Sequence, residues 1–324
     1  MRVFQNSTEG TTFIITQNDV QLYKPNARDT EVIFSEPDVF IDDGVIDWAS
    51  GKIFLAAYFS SDSTTGLVVI DLLGKESNNK KPWGHFRQFT SRVDEMAGFY
   101  TTLALGPLFN RNAVYFTWKN SIGVLTYDLA EFKSQYCSAP VQWSLSNLLF
   151  NRNTEKMYFI MKKINSNTDE ITTQIGICKD EELIYDEMEI LNRRLTFGYA
   201  SSLDLKGDVL YVIEKPARSN ANQESVGSAI NVNNLMLLDT WDVSPALSNA
   251  ITVVEPAEQE FDNRRSCMTE DKCTNGICLD TPLPGYPSLT SCTCFNGFFK
   301  NEDSDLVCEK PVPETFDDKV RPEI

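Results

Sequence analysis

At 324 residues, 42% hydrophobic and 11% aromatic, the chain holds enough material for one large domain and a small appendage. Its formal charge of -17 argues against nucleic acid or an anionic membrane surface as partner and favours a cationic one. No run of about 18 apolar residues occurs, so no membrane insertion by this chain is expected.

Residues 1–10 are polar and are expected to be disordered; they contain the one glycosylation sequon, Asn6-Ser7-Thr8. Residues 11–16 (TTFIIT) and 20–23 (VQLY) flank a turn-like Gln-Asn-Asp and read as a hairpin, and 31–34 as a further strand. Residues 44–72 then set the pattern for the chain. A Ser50-Gly51 turn precedes the apolar run Ile53, Phe54, Leu55, and Gly66 precedes a second run, Leu67 to Ile70. Short continuous apolar runs bounded by turn residues fit strands buried on both faces.

The cadence returns at 103–129, 148–178 and 203–214. Aligning the second strands at Phe54, Tyr115, Tyr158 and Tyr211 gives steps of 61, 43 and 53 residues. Four-stranded propeller blades recur at roughly 40–50 residues, so an all-β, six-bladed-type β-propeller with insertions is expected, of which about five blades can be counted. Residues 83–90 (WGHFRQFT) read as an outer strand whose aromatics pack between blades, with a ligand platform as the alternative. Residues 179–192 are acidic and read as a short helix or a strand with its loops, and 218–231 as a long polar loop. Strand character resumes at 233–241.

The cysteines are the sharpest signal. Six of the eight, Cys267, Cys273, Cys278, Cys292, Cys294 and Cys308, fall within 42 residues at the spacing C-x5-C-x4-C-x13-C-x1-C-x13-C. Such density implies a disulfide framework made in an oxidising compartment, so the protein is expected to be secreted and extracellular, with its signal peptide outside this sequence. Clustered cysteines can also hold zinc, but one C-x-C and no nearby histidine fit that poorly. The string CTCFNGFF at 292–299 resembles the end of an EGF-like domain. The resemblance implies the pairs Cys267–Cys278, Cys273–Cys292 and Cys294–Cys308. No calcium ligand set is read from FDNRRSC before the first cysteine. Cys137 and Cys178 fall on neighbouring blades; a disulfide or two buried thiols would satisfy them. The expected organisation is a disordered N-terminus at 1–10, a propeller at 11–254, a linker at 255–266, an EGF-like domain at 267–308 and a disordered tail at 309–324.

His85 is the one histidine, and its place in an outer strand suits a structural role better than catalysis. There is no Walker loop and no dinucleotide fingerprint, and no cofactor or metal is expected.

Several collinear segments resemble the Yellow / major royal jelly protein family, whose fold is a six-bladed propeller. GLVVIDL at 66–72 is similar to its GLIVYD strand, GFYTTLALGPL at 98–108 to GIFGLALGPL, IGIC at 175–178 to its VGCW segment, LDLKGDVLYVIEK at 203–215 to NLWVLSDR, and NVNNLMLL at 231–238 to DVNFRI. A second resemblance is to the YWTD propeller of low-density-lipoprotein-receptor-like proteins, carried by IDWASGKIFLAAY at 46–58 and by the following EGF-like module. The Yellow-like resemblance implies a secreted, non-enzymatic protein binding a small aromatic amine in the propeller channel. Candidate ligand residues are then Asn233 and Asn234 in the DVNF-like strand, with Phe197 and Tyr199 ahead of the LDLKG strand; blade packing explains each equally well. The receptor-like resemblance implies a matrix or receptor fragment contacting another extracellular protein. A dopachrome-type tautomerase is the enzymatic alternative, needing an acid–base pair that does not stand out.

Overall fold

The computed structural model describes residues 2–5, 12–24, 29–47, 50–72, 81, 83–89, 101–109, 111–129, 131–164, 171–196, 199–216, 225–243, 276–281, 289–294, 298–301 and 304–309. Five four-stranded antiparallel sheets follow one another along the chain. The first holds β1 (Arg2–Gln5), β2 (Thr12–Ile15), β3 (Asp19–Lys24) and β4 (Asp29–Ser35). The second holds β5 (Val39–Asp47), β6 (Lys52–Phe59), β7 (Thr64–Asp71) and β8 (Trp83–Phe89). The third holds β9 (Leu103–Leu108), β10 (Arg111–Trp118), β11 (Ser121–Thr126) and β12 (Phe132–Ser138). The fourth holds β13 (Ser144–Asn151), β14 (Lys156–Ile164), β15 (Ile171–Lys179) and the two-residue β16 (Glu182–Leu183). The fifth holds β17 (Ala200–Lys206), β18 (Val209–Glu214), β19 (Ser225–Asn231) and β20 (Met236–Val243).

Within each sheet the strands lie in chain order, and the first strand of each sheet touches the first strand of the next. This is a five-bladed β-propeller whose first strands line the axis. The chain burial pattern explains the apolar runs. Along β6, Ile53, Leu55, Ala57 and Phe59 join a core with blade 1, while Phe54 and Ala56 join a core with blade 3. A strand clamped between two neighbours needs apolar side chains on both faces, which removes the alternation of a half-exposed sheet. A third core runs through blades 3, 4 and 5 around Tyr115, Tyr158, Phe159 and Ile230.

Blades 3, 4 and 5 share a packing device that the repeat cadence alone did not reveal. Phe116 lies directly opposite Gly123, Phe159 opposite Gly176, and Trp241 opposite Gly227. A Cβ on any of these three glycines would come within 2.1–2.4 Å of the facing ring. The third strand therefore carries glycine so that a neighbouring strand can lay an aromatic ring flat across it. Gly51 serves differently: at φ 63° it turns the chain from β5 into β6.

Two segments depart from expectation. Arg2–Gln5, within the stretch expected to be disordered, pairs with β2 and forms the first strand of blade 1. Ser225–Asn231, within the expected polar loop, is the third strand of blade 5, paired to both β18 and β19's other neighbour β20. Its small residues hide this: Ser225, Gly227 and Ser228 are buried, and Ser228 Oγ donates to the buried Glu214 at 3.2 Å. Low hydrophobicity there reflects tight packing, not solvent. The acidic stretch after β15 is the helix α1 (Tyr185–Asn192), with Asp186 and Glu187 in its first turn.

Cys137 of blade 3 and Cys178 of blade 4 are both buried and form a disulfide. Beyond the propeller, β21 (Gly276–Thr281) pairs with β22 (Leu289–Cys294), and β23 (Phe299–Asn301) with β24 (Ser304–Glu309). Cys278 stands opposite Cys292, and Cys294 is bonded to Cys308. The other expected pairs include Cys267 and Cys273, which lie outside the described residues, as do Asn6, the linker and residues 310–324.

Candidate functional site at the mouth of the axis

The first strands of blades 2, 4 and 5 each carry an irregularity near the same end. In β5 the register shifts between Ile41 and Asp43, leaving Asp42 as the extra residue. In β13 the shift spans Asn147, which is held at φ 51°. In β17 the extra residue is Ser201. Blade 3 has Thr101 and Thr102 just ahead of β9.

Register places these residues at one level. Val45 faces Phe54, Ala104 faces Tyr115, and Asp204 faces Tyr211; Asp42, Thr101 and Ser201 each precede the first member by three positions. Leu149 faces Tyr158, and Asn147 precedes it by two. A bulge re-aims the side chain of its extra residue and breaks the alternation of the strand. The result is a half-buried polar set, Asp42, Thr101, Asn147 and Ser201, drawn from four blades at the entry end of the axis.

Hydrogen bonds stitch this level together across blades. The Thr101 amide donates to Asp42 Oδ2 at 3.4 Å and the Leu103 amide to Asp43 Oδ2 at 2.8 Å, joining blade 2 to blade 3. The Leu148 amide donates to Thr102 Oγ1 at 3.2 Å, joining blade 3 to blade 4. Within blade 5, Ser201 Oγ donates to the Ile213 carbonyl at 3.1 Å.

Asp42 is the electrostatic centre of the set. Burial raises its pKa from 3.8 to about 6, the Thr101 amide opposes the rise, and the adjacent Asp43 carboxylate adds to it. Near pH 7 it remains ionised, a half-buried anion beside a second carboxylate and the Thr101 amide. That arrangement can hold a cation and orient it by hydrogen bonds.

The residues expected from sequence are not gathered here as a set. Tyr199 lies at this end of blade 5, half-buried, two positions ahead of Ser201, with its carbonyl accepting from the Lys215 amide at 2.9 Å. Phe197 lies outside the described residues. Asn233 and Asn234 sit in the β19–β20 turn at the opposite end, exposed. Asn231 Oδ1 accepts both their amides, and Asn233 Nδ2 donates to Asp208 Oδ2 at 2.9 Å. Asn153 Nδ2 of blade 4 donates to Asp208 Oδ1 at 3.0 Å, so these asparagines close turns and clasp blades 4 and 5. The Asn153 and Asn233 amides hold the Asp208 carboxyl below its usual range.

His85 is remote from the axis, on the outer strand β8. Its ring packs 4.5 Å from Phe59 and 5.9 Å from Trp83, centroid to centroid, and burial lowers its pKa. Among the described residues no three metal-binding side chains are grouped to hold an ion, and no helix is long and apolar enough to cross a membrane.

No family model matches the chain, and no curated protein does. Solved structures do. One is a chain of the mitotic checkpoint complex, at 6% identity and TM-score 0.44, covering 75% of this chain and 63% of that one. The Dos1 propeller matches at 10% identity and TM-score 0.44, covering 75% and 60%. The extracellular domain of the one component system BT4673 from B. thetaiotaomicron matches at 10% and TM-score 0.42, covering 76% and 29%. The chain thus spans less than two thirds of the length of each. Likenesses this distant say nothing about function, and the five-bladed architecture rests on the strand pairing itself.

Proposed function

We propose that this is an extracellular, non-enzymatic binding protein whose propeller mouth takes a small organic cation, an aromatic amine being the best candidate. The observation that carries the reading is Asp42: a half-buried carboxylate on an inner-strand bulge that accepts from the Thr101 amide, with half-buried Asn147 and Ser201 on the first strands of two further blades. Burying a charge is costly unless a counter-charge offsets it, and an ammonium would supply one. The acidic chain favours the same ligand class by attraction at a distance. The Yellow-like resemblance points to the same chemistry. Export is supported by the buried Cys137–Cys178 bridge and by Cys294–Cys308.

Thermal-shift titration with serotonin, dopamine, octopamine and histamine tests the reading. A ligand at about 100 times its dissociation constant adds roughly 2.7 kcal/mol, which is readily seen. We expect a saturable shift that fades below about pH 6, where Asp42 takes up its proton, and that is lost in Asp42→Asn. A shift of equal size in Asp42→Asn, or no shift with any amine, sinks the reading.

A second reading follows from the C-terminal hairpins. Two short hairpins, a Cys278/Cys292 cross-strand pair and the Cys294–Cys308 bridge suit an EGF-like module at 267–308. Such a module would give the protein a contact for another extracellular protein.

A further inference from the structure

Outer strands of blades are sheet edges, and an uncovered edge is a template for another strand. Four of the five outer strands here are tied to a neighbouring blade, loop or helix. On β4, Ile33 and Phe34 are buried, and the Lys81 amide donates to the Ile33 carbonyl at 3.1 Å. On β8, Trp83 meets Phe34 edge to face at 5.2 Å. The strand β12 is bonded to blade 4 by the Cys137–Cys178 bridge and by the Lys133–Glu181 ion pair. In blade 4 the outer strand β16 is two residues long, and α1 covers β15 instead. Asn192 accepts from the Ile175 amide at 2.8 Å and donates to its carbonyl at 3.0 Å, taking the place of a paired strand.

The fifth edge, β20, has no such cover among the described residues. It is eight residues long, and all but Trp241 and Val243 are exposed. Met236, Leu237 and Leu238 expose 55%, 39% and 54% of their surface, three large apolar side chains in a row. Exposed Asp239 and Asp242 follow on the same strand.

We propose that β20 is a docking edge that accepts an extended segment of a partner protein as a fifth strand of blade 5. Charge selects the occupant: Asp239 and Asp242, on opposite faces of the strand, and the net charge of -17 call for an apolar segment that carries lysine or arginine on both of its faces. Main-chain pairing would supply the affinity, and the Met236–Leu238 surface with the two aspartates would supply the choice of side chains. The same charge disfavours a second copy of this chain. The inference is independent of the axial site.

Fluorescence anisotropy on the full chain tests it, using a fluorescein-labelled octapeptide of paired lysines and paired valines in turn, which sets lysine on both faces, beside a control with glutamate for lysine. The lysine peptide is expected to bind saturably and the control not. Met236→Lys combined with Leu238→Lys alters only exposed side chains, so the melting temperature should hold while affinity falls at least about tenfold. Asp239→Lys with Asp242→Lys should invert the preference toward the glutamate peptide. Absence of binding, equal binding of both peptides, or affinity unchanged in both variants overturns the proposal. So does sedimentation showing a dimer that Met236→Lys with Leu238→Lys dissolves, which would give the edge to a second copy. Slow exchange of the outward β20 amides in the free monomer would overturn it too, giving the edge to the chain itself.

Discussion

Asp42 carries a stability cost that depends on pH. Its folded pKa, about 6, lies above the ordinary 3.8, so between these values the folded form holds a proton that the unfolded form has lost. The stabilisation from that proton is fully present below about pH 4 and is lost as pH rises through about 6. Asp42→Asn, which mimics the protonated carboxyl, is expected to be more stable than the native chain at pH 7.5 by on the order of 2 kcal/mol. The gap should close near pH 4; melting curves across pH 4 to 8 measure it, and a gap independent of pH would refute the assignment. The segment VFIDDG shows two adjacent acids inside an apolar strand, a signal readable in sequence. Its surroundings were not, because Thr101, Asn147 and Ser201 come to this end only through the register of blade 3 and the bulges of blades 4 and 5. Asn233 and Asn234 were read as the opening of a strand; they form the turn ahead of it, with their polarity used on Asn231, Asp208 and the backbone.

At the scale of elements, legibility followed side-chain size. The runs in β6, β7, β10 and β14 announced themselves because a strand clamped between two blades is apolar on both faces. The strand β19 did not, because serine, glycine and alanine fill a position too tight for larger residues, under the Trp241 ring. The helix α1 was legible as one of two readings of an acidic stretch, but its task was not, since that depends on one amide group. Asn192→Ala would strip both hydrogen bonds from the Ile175 backbone and one from the Met188 carbonyl. Losing partners at a part-buried edge is expected to cost about 2–3 kcal/mol. Denaturant midpoints measure this, and hydrogen exchange at the Ile175 amide should accelerate. If that amide stays as protected as before, the covering role of α1 is wrong.

For the whole molecule, four aligned second strands and the hairpin ahead of them suggested a six-bladed type with about five blades countable, and five blades are present among the described residues. What spacing could not give is which blades depend on each other. One core joins blades 1 and 2, another blades 2 and 3, and the largest runs through blades 3, 4 and 5. The Cys137–Cys178 bridge falls inside that last core and links residues 41 apart. Removing it with paired alanines is expected to lower stability by about 2–4 kcal/mol, measured by denaturation of the oxidised native chain against the variant. An unchanged midpoint would mean that the packed core alone carries this junction.

The same bridge has a mechanical meaning. A tether attached to the two chain ends and drawn apart would transmit load through the sulfur–sulfur bond and bypass β13, β14 and most of β15. That section would stay a closed ring at any force short of breaking a covalent bond. About 140 Å of extension would be withheld in the oxidised protein and released on reduction. The junction between blades 3 and 4 is therefore the part of the propeller that cannot be unravelled by pulling, however far its neighbours have opened.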